Sequence, residues 1–154
     1  MSRIQLALNV DDLDAAVSFY STLFGTEPAK TKPGYANFAV AEPPLKLVLI
    51  ENPGQGGSIN HLGVEVPDVD TVDAEQTRLA ARGMSSVDER GTTCCYAKQD
   101  KFWVEGAPNG ERWEIYTVLE DSESFGIGDT SPVGCCGDEA TGERALRPSA
   151  TACC

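Results

Sequence analysis

Two stretches of this chain repeat one another, QLALNVDDL at 5–13 and HLGVEVPDV at 61–69. Both alternate apolar with small or polar residues, as a strand with one buried face does, and both run into an acidic helix start. A chain made of two like units is limited to folds in which the halves can associate. After the first copy, Leu13, Val17, Tyr20 and Phe24 recur at helical spacing and predict a helix over 12–24 stopped by Gly25. After the second, Val72, Gln76, Leu79 and Ala80 predict a helix over 70–82 stopped by Gly83. Strand-like segments follow each helix and end in KLVLIE (46–51) and RWEIYT (112–117), each behind a turn containing proline. Each half therefore reads βαβββ, with modules over about 2–52 and 58–119. Neither half can bury its sheet face alone. The expected architecture is α+β, two βαβββ modules forming one curved mixed sheet, either within a chain or across a homodimer.

Past Tyr116 the apolar periodicity stops, and residues 121–154 are rich in Gly, Ser, Pro, Thr and acid. Such a segment buries too little apolar surface to offset its ordering entropy. It is expected to be a flexible tail carrying Cys135, Cys136, Cys153 and Cys154, with residues 1–120 forming the domain. The net charge of −12, from 24 acidic and 12 basic residues, argues against nucleic acid or an anionic membrane surface as partner. With no long apolar run, and with Asp11 and Asp12 reached too early for a secretory signal, the expected location is the cytoplasm.

Strand parity points to a site. Ile4, Leu6, Leu8 and Val10 share one face of the first strand, suited to packing on the helix, while Gln5, Ala7 and Asn9 face the other way. In the second copy Leu62, Val64 and Val66 pack, while His61, Gly63 and Glu65 face away. Gln5 and His61 thus occupy equivalent concave positions, each followed two residues on by a tiny side chain. In the last strand Glu114 stands between Trp113 and Ile115, and aligning LVLI with WEIY sets Val48 at the matching position of the first module. An isolated histidine most often serves as a core residue bonded to a carbonyl, and a strand glutamate as a solvated one. Here an amide oxygen, an imidazole and a carboxylate share one concave face, a set able to hold a divalent metal with coordination positions left open.

All six cysteines stand in adjacent pairs, Cys94–Cys95, Cys135–Cys136 and Cys153–Cys154. Neighbouring Cα atoms lie about 3.8 Å apart, closer than a disulfide prefers, and zinc sites space their cysteines by a turn. In a reducing compartment such thiols are available as soft ligands. Adjacent side chains of a strand point to opposite faces. For both sulfurs to face one way, Cys94 and Cys95 must lie in a loop, as Gly91, Thr92 and Thr93 suggest.

Two βαβββ modules with one ligand in each first strand and a Glu in the last resemble the vicinal oxygen chelate superfamily of glyoxalases, extradiol dioxygenases and bleomycin-resistance proteins. The run TTCCYAKQDKFWVEGAPNGERWEIYTV resembles more closely the organoarsenical carbon-arsenic lyases and the related cadmium-inducible proteins. That resemblance implies an Fe(II) site on Gln5, His61 and Glu114, open also to Ni, Co, Mn or Zn, beside a vicinal thiol pair on Cys94 and Cys95. Extradiol members usually carry His where this chain has Gln5, whereas some glyoxalases carry Gln.

The expected function is that of a non-haem Fe(II)-dependent dioxygenase cleaving the carbon-arsenic bond of trivalent organoarsenicals to arsenite and an aldehyde or phenol-like fragment. Trivalent arsenic is soft and three-coordinate, so a monoalkyl species offers two positions to thiolates. Cys94 and Cys95 would hold the arsenic, with Lys98, Phe102, Trp103 and Tyr116 as candidate pocket residues. The alternatives are a protein sequestering arsenic, cadmium or zinc through its cysteine pairs, and a glyoxalase-like enzyme.

Overall fold

The computed structural model describes residues 1–126. It has the two-module order: β1 (Arg3–Val10), α1 (Leu13–Phe24), β2 (Lys30–Lys32), β3 (Tyr35–Val40) and β4 (Leu45–Glu51), then β5 (Ile59–Glu65), α2 (Val69–Ala80), β6 (Ser86–Cys94), β7 (Ala97–Val104) and β8 (Trp113–Asp121). Asp12 and Asp68, at matching places in the repeat, cap the two helices by accepting the backbone N–H of Ala15 and Thr71 at 2.9 and 2.8 Å. Left-handed Gly25 ends α1. The second helix ends earlier than its apolar pattern implies, at Ala80 with Ala81 as cap, and Gly83 lies beyond it. Val72 and Leu79 are buried. Ala80 is exposed, and Gln76 turns its amide to Ser86 on β6.

The eight strands form one mixed sheet in the order β2-β3-β4-β1-β5-β8-β7-β6. The modules join within the chain through their first strands, β1 antiparallel to β5, and each first strand pairs in parallel with the last of its own module. Register carries the pseudo-twofold. Ala7 pairs with Val48 in the first module and Gly63 with Glu114 in the second. Both helices cover the convex face, α1 over Phe38, Leu47 and Leu49, and α2 over Val66, Phe102 and Ile115. On β1, Leu6, Leu8 and Val10 pack there as the parity requires, but Ile4 lies outside that cluster and is 46% exposed. The two outer strands of each module curl up to wall the concave face. In the first module that face is filled by Ala7, Tyr35, Val48 and Ile50 with Tyr96; in the second it is polar.

Composition assigns residues 121–126 to the tail, yet the structure gives them partners. Asp121 ends β8, Ser122 N–H donates to the carbonyl of Tyr96, and Phe125 packs on Tyr35 and Tyr96. The four tail cysteines lie outside the described residues.

Candidate functional site

At the centre of the concave face, where β1, β5 and β8 adjoin, Gln5, His61 and Glu114 are 4%, 2% and 3% exposed. Gln5 Nε2 lies 3.0 Å from His61 Nε2 and 2.8 Å from Glu114 Oε1, and the last two atoms are 3.4 Å apart. Gly63 makes this convergence possible, because a Cβ there would stand 3.1 Å from Glu114 Cγ and 3.3 Å from Gln5 Cβ. The ring of His61 is oriented from behind. Asn60 spends its amide nitrogen on Asn9 at 2.9 Å, so its oxygen faces His61 Nδ1 at 2.8 Å and accepts that proton. Nε2 then points a lone pair at the site. Trp103 stands edge-on to the same ring, centroids 5.7 Å apart.

Beneath Gln5, the hydroxyl of Tyr116 lies 2.5 Å from Oε1 and 2.9 Å from Glu65 Oε2. Burial pushes the Tyr116 hydroxyl well above its ordinary pKa, with Glu65 and Glu114 adding to the effect, so it stays a neutral donor.

The three atoms can be tested for fit to a divalent ion. Cis donors each about 2.1 Å from one ion stand about 3 Å from one another, close to the three separations observed. One adjustment is needed: the Gln5 amide must turn about its last torsion so that oxygen replaces nitrogen at the centre. Tyr116 can follow, accepting from the amide nitrogen while donating to Glu65. Among the described residues no group of three His, Cys, Asp or Glu side chains could hold an ion. Among the described residues a three-donor site at this place therefore needs the amide.

Lys101 belongs to this site although no motif in the sequence marks it. It is 0% exposed, with its ammonium 3.1 Å from Glu114 Oε2 and 3.5 Å from Glu89 Oε2, and 4.7 Å from the Trp103 ring centroid. It occupies one oxygen of Glu114 and leaves the other facing Gln5 and His61. Burial alone would raise the pKa of Glu114, but the charge of Lys101 leads the effects that outweigh it and hold the carboxyl well below the usual range. Burial likewise opposes the ammonium, and Glu114, Cys94 and Glu89 together keep it charged. The pair is thus ionised from the ordinary carboxylate range up past the ordinary lysine range. Lys101→Met is expected to cost the metal-free protein about 3–5 kcal/mol, because it strands a buried carboxylate. Glu114 would then titrate above its unfolded value, so the loss should deepen from about pH 4 to pH 8. Urea melts at the two pH values check this, and equal losses at both would contradict it.

Cys94 and Cys95 do not lie in an open loop. Cys94 is the last residue of β6 and pairs with Ala97 of β7, leaving Cys95 and Tyr96 as a two-residue hairpin turn with φ of 54° and 61°. Two left-handed residues in succession make this turn of the I′ kind. It breaks the alternation of the strand, and the two sulfurs come to 3.2 Å without a disulfide between them, Cys94 buried and Cys95 half-buried. Gln99, 5% exposed, donates its amide N–H to the Cys94 carbonyl at 3.3 Å, and its oxygen has no partner among the described residues.

Gln5, His61 and Glu114 line one cavity of about 300 Å³ together with Cys94, Cys95 and Gln99. The other candidates fall elsewhere. Lys98 points outward to Glu120 at 3.1 Å, because it lies on the opposite parity to Gln99 and Lys101. Phe102 is 0% exposed in the core under α2 for the same reason. Tyr116 and Trp103 support the floor without lining this cavity. Alternation along QDKFW sets Gln99, Lys101 and Trp103 on one face and Asp100 and Phe102 on the other.

Comparison with known proteins agrees with this architecture. Residues 3–115 match the Glyoxalase/Bleomycin resistance protein/Dioxygenase superfamily. The cadmium-induced protein CadI of Mycobacterium tuberculosis is 69% identical over 128 residues, 83% of this chain and 84% of the relative. A trivalent organoarsenical cleaving enzyme of Thermomonospora curvata is 51% identical over 154 residues, 99% of this chain and 100% of the relative. Among solved structures, a Mn(II)-bound glyoxalase from Novosphingobium aromaticivorans superposes with a TM-score of 0.56 at 19% identity, over 86% of this chain and 44% of the other, a likeness of fold alone. The repeat, the sheet order and the match over nearly the whole described region agree: this chain belongs to the glyoxalase, bleomycin resistance protein and dioxygenase superfamily, the vicinal oxygen chelate fold.

Proposed function

We propose that the protein cleaves the carbon-arsenic bond of trivalent organoarsenicals, using a divalent metal held by Gln5, His61 and Glu114 and a substrate held by Cys94 and Cys95. The observation that carries this reading is that two thiols 3.2 Å apart share a cavity with three convergent donor groups. The relative from Thermomonospora curvata named as a trivalent organoarsenical cleaving enzyme supports it.

The chain's residues do the following. Each thiol displaces one hydroxyl from methylarsenite: a sulfur-arsenic bond forms, an arsenic-oxygen bond breaks, and the thiol proton leaves with the hydroxyl as water. Arsenic keeps its carbon, and the dithiol fixes the direction of that bond within the cavity, a gain from proximity and orientation. Lys101 keeps Glu114 ionised and directs its free oxygen to the site. Iron(II) bound there would supply activation of dioxygen. The overall change balances, since methylarsenite plus dioxygen equals arsenite plus formaldehyde: carbon is oxidised, dioxygen is reduced, and arsenic stays trivalent.

A second reading, sequestration without turnover, is favoured by the two further cysteine pairs of the sequence, Cys135–Cys136 and Cys153–Cys154. Truncation after Gly126 separates the two. The enzyme reading expects the truncated chain to keep its metal and most of its turnover while losing some arsenic capacity, since thiols on another segment add no orientation at the metal. Arsenic speciation after repeated additions of methylarsenite to the iron-loaded, aerated protein checks it. Arsenite released in large excess over protein supports an enzyme. Capture limited to the number of thiol pairs supports sequestration.

A further inference from the structure

The turn that presents the thiols carries a conformational cost. Type I′ hairpins favour Asn-Gly because both central residues take positive φ, a region that side chains with a Cβ enter only at a cost in steric strain. Here those places hold Cys95 and Tyr96, at 54° and 61°. Something must hold the turn, and the segment after β8 lies against it. The backbone N–H of Cys95 donates to the carbonyl of Phe125 at 2.7 Å, and the carbonyl of Tyr96 accepts from Ser122 N–H at 2.9 Å and from Lys30 Nζ at 3.1 Å. The Phe125 ring lies against Tyr96 and Tyr35, centroids 5.4 and 6.3 Å away, while Tyr35 and Tyr96 are 5.4 Å apart. Gly126 closes the contact, for a Cβ there would fall 2.1 Å from the carbonyl oxygen of Thr93. The far side is anchored by ion pairs of Lys30 with Asp121 and Lys32 with Glu123, so the segment ties the turn to β2 of the other module.

We propose that Ser122–Gly126 is a strap that holds the Cys94–Cys95 turn in its left-handed form, with Phe125 as the positioning residue that keeps both sulfurs facing the cavity; its purpose rests on the arsenic-capture reading above. Without the strap, φ at Cys95 relaxes to negative values and the strand alternation returns, sending the two sulfurs apart. Bidentate capture of arsenic then loses its preorganisation, whereas attack on a monofunctional reagent needs none and gains access.

The test uses the full-length, metal-loaded chain with Cys135, Cys136, Cys153 and Cys154 replaced by serine, and compares Phe125→Ala, Phe125→Tyr and Gly126→Val. Methylarsenite affinity, the rate of iodoacetamide labelling at Cys95 and the metal content are measured for each. Phe125→Ala and Gly126→Val are expected to weaken methylarsenite binding by about tenfold or more, speed labelling of Cys95, and leave metal content unchanged. Phe125→Tyr should restore affinity and protection. Methylarsenite affinity and labelling unchanged in Phe125→Ala and Gly126→Val would overturn the proposal, and so would loss of metal together with arsenical, which would indicate a general loss of structure. If the parent chain itself fails to bind methylarsenite, the functional reading fails, while the labelling rates still decide whether the strap holds the turn.

Discussion

Replacing Cys94 and Cys95 together with serine is expected to lower organoarsenical turnover by at least about a thousandfold and to leave divalent-metal binding intact. Serine is close to cysteine in shape and can occupy the same hairpin end and turn, so the fold and the strap contacts should survive. The exchange removes the soft donors. A hydroxyl at neutral pH neither ionises nor holds trivalent arsenic as a thiolate does, and the substrate loses both attachments at once. The proposed metal site should not notice, because the three side chains assigned to it come from β1, β5 and β8 while the thiols sit on the β6–β7 turn. Turnover retained in the double variant would show that the pair does not hold the substrate.

His61→Ala or Glu114→Gln should lower divalent-metal affinity by at least about a hundredfold, more than is usual for groups that merely orient a ligand, and turnover should vanish with the metal. Among the described residues the proposed site draws on three protein donors, and an open site that loses one has too little left to hold a labile ion. Glutamine is the informative change at 114, since removing the side chain outright would also leave the buried ammonium of Lys101 without its closest partner at 3.1 Å. Gln5→His should go the other way and bind iron(II) at least as tightly, imidazole being the stronger donor. Metal content by elemental analysis checks all three. Full occupancy in His61→Ala would remove these residues from the metal site.

Much of this was legible in the sequence because it depends on period and parity. The repeat announces two like modules, and the two-residue alternation of β1, β5 and β8 puts Gln5, His61 and Glu114 on one face whatever the details of packing. The same parity rule, carried along β7, separates Lys101 from Lys98 and Phe102, but the fall of the charged residues hides it until the register with Glu114 and Glu89 is known. Other features lie beyond any local pattern. Ile4 is apolar and on the packing face, yet it lies outside the cluster that α1 covers and stays exposed. The left-handed turn at Cys95 and Tyr96 contradicts local preference and is explained by contacts from residues thirty positions away in the chain, Ser122 to Gly126. Composition reads that segment as tail because it is polar, and its one aromatic ring, Phe125, does its work only in three dimensions.

The central claim, that arsenic is held by the thiols while its carbon is oxidised at the neighbouring metal, is tested most directly by stoichiometry. Protein loaded anaerobically with iron(II), mixed with methylarsenite and then admitted to a measured quantity of dioxygen, should yield arsenite and formaldehyde in equal amounts, each equimolar with the dioxygen consumed. Arsenite formed without uptake of dioxygen, or dioxygen consumed with methylarsenite recovered intact, would contradict the account.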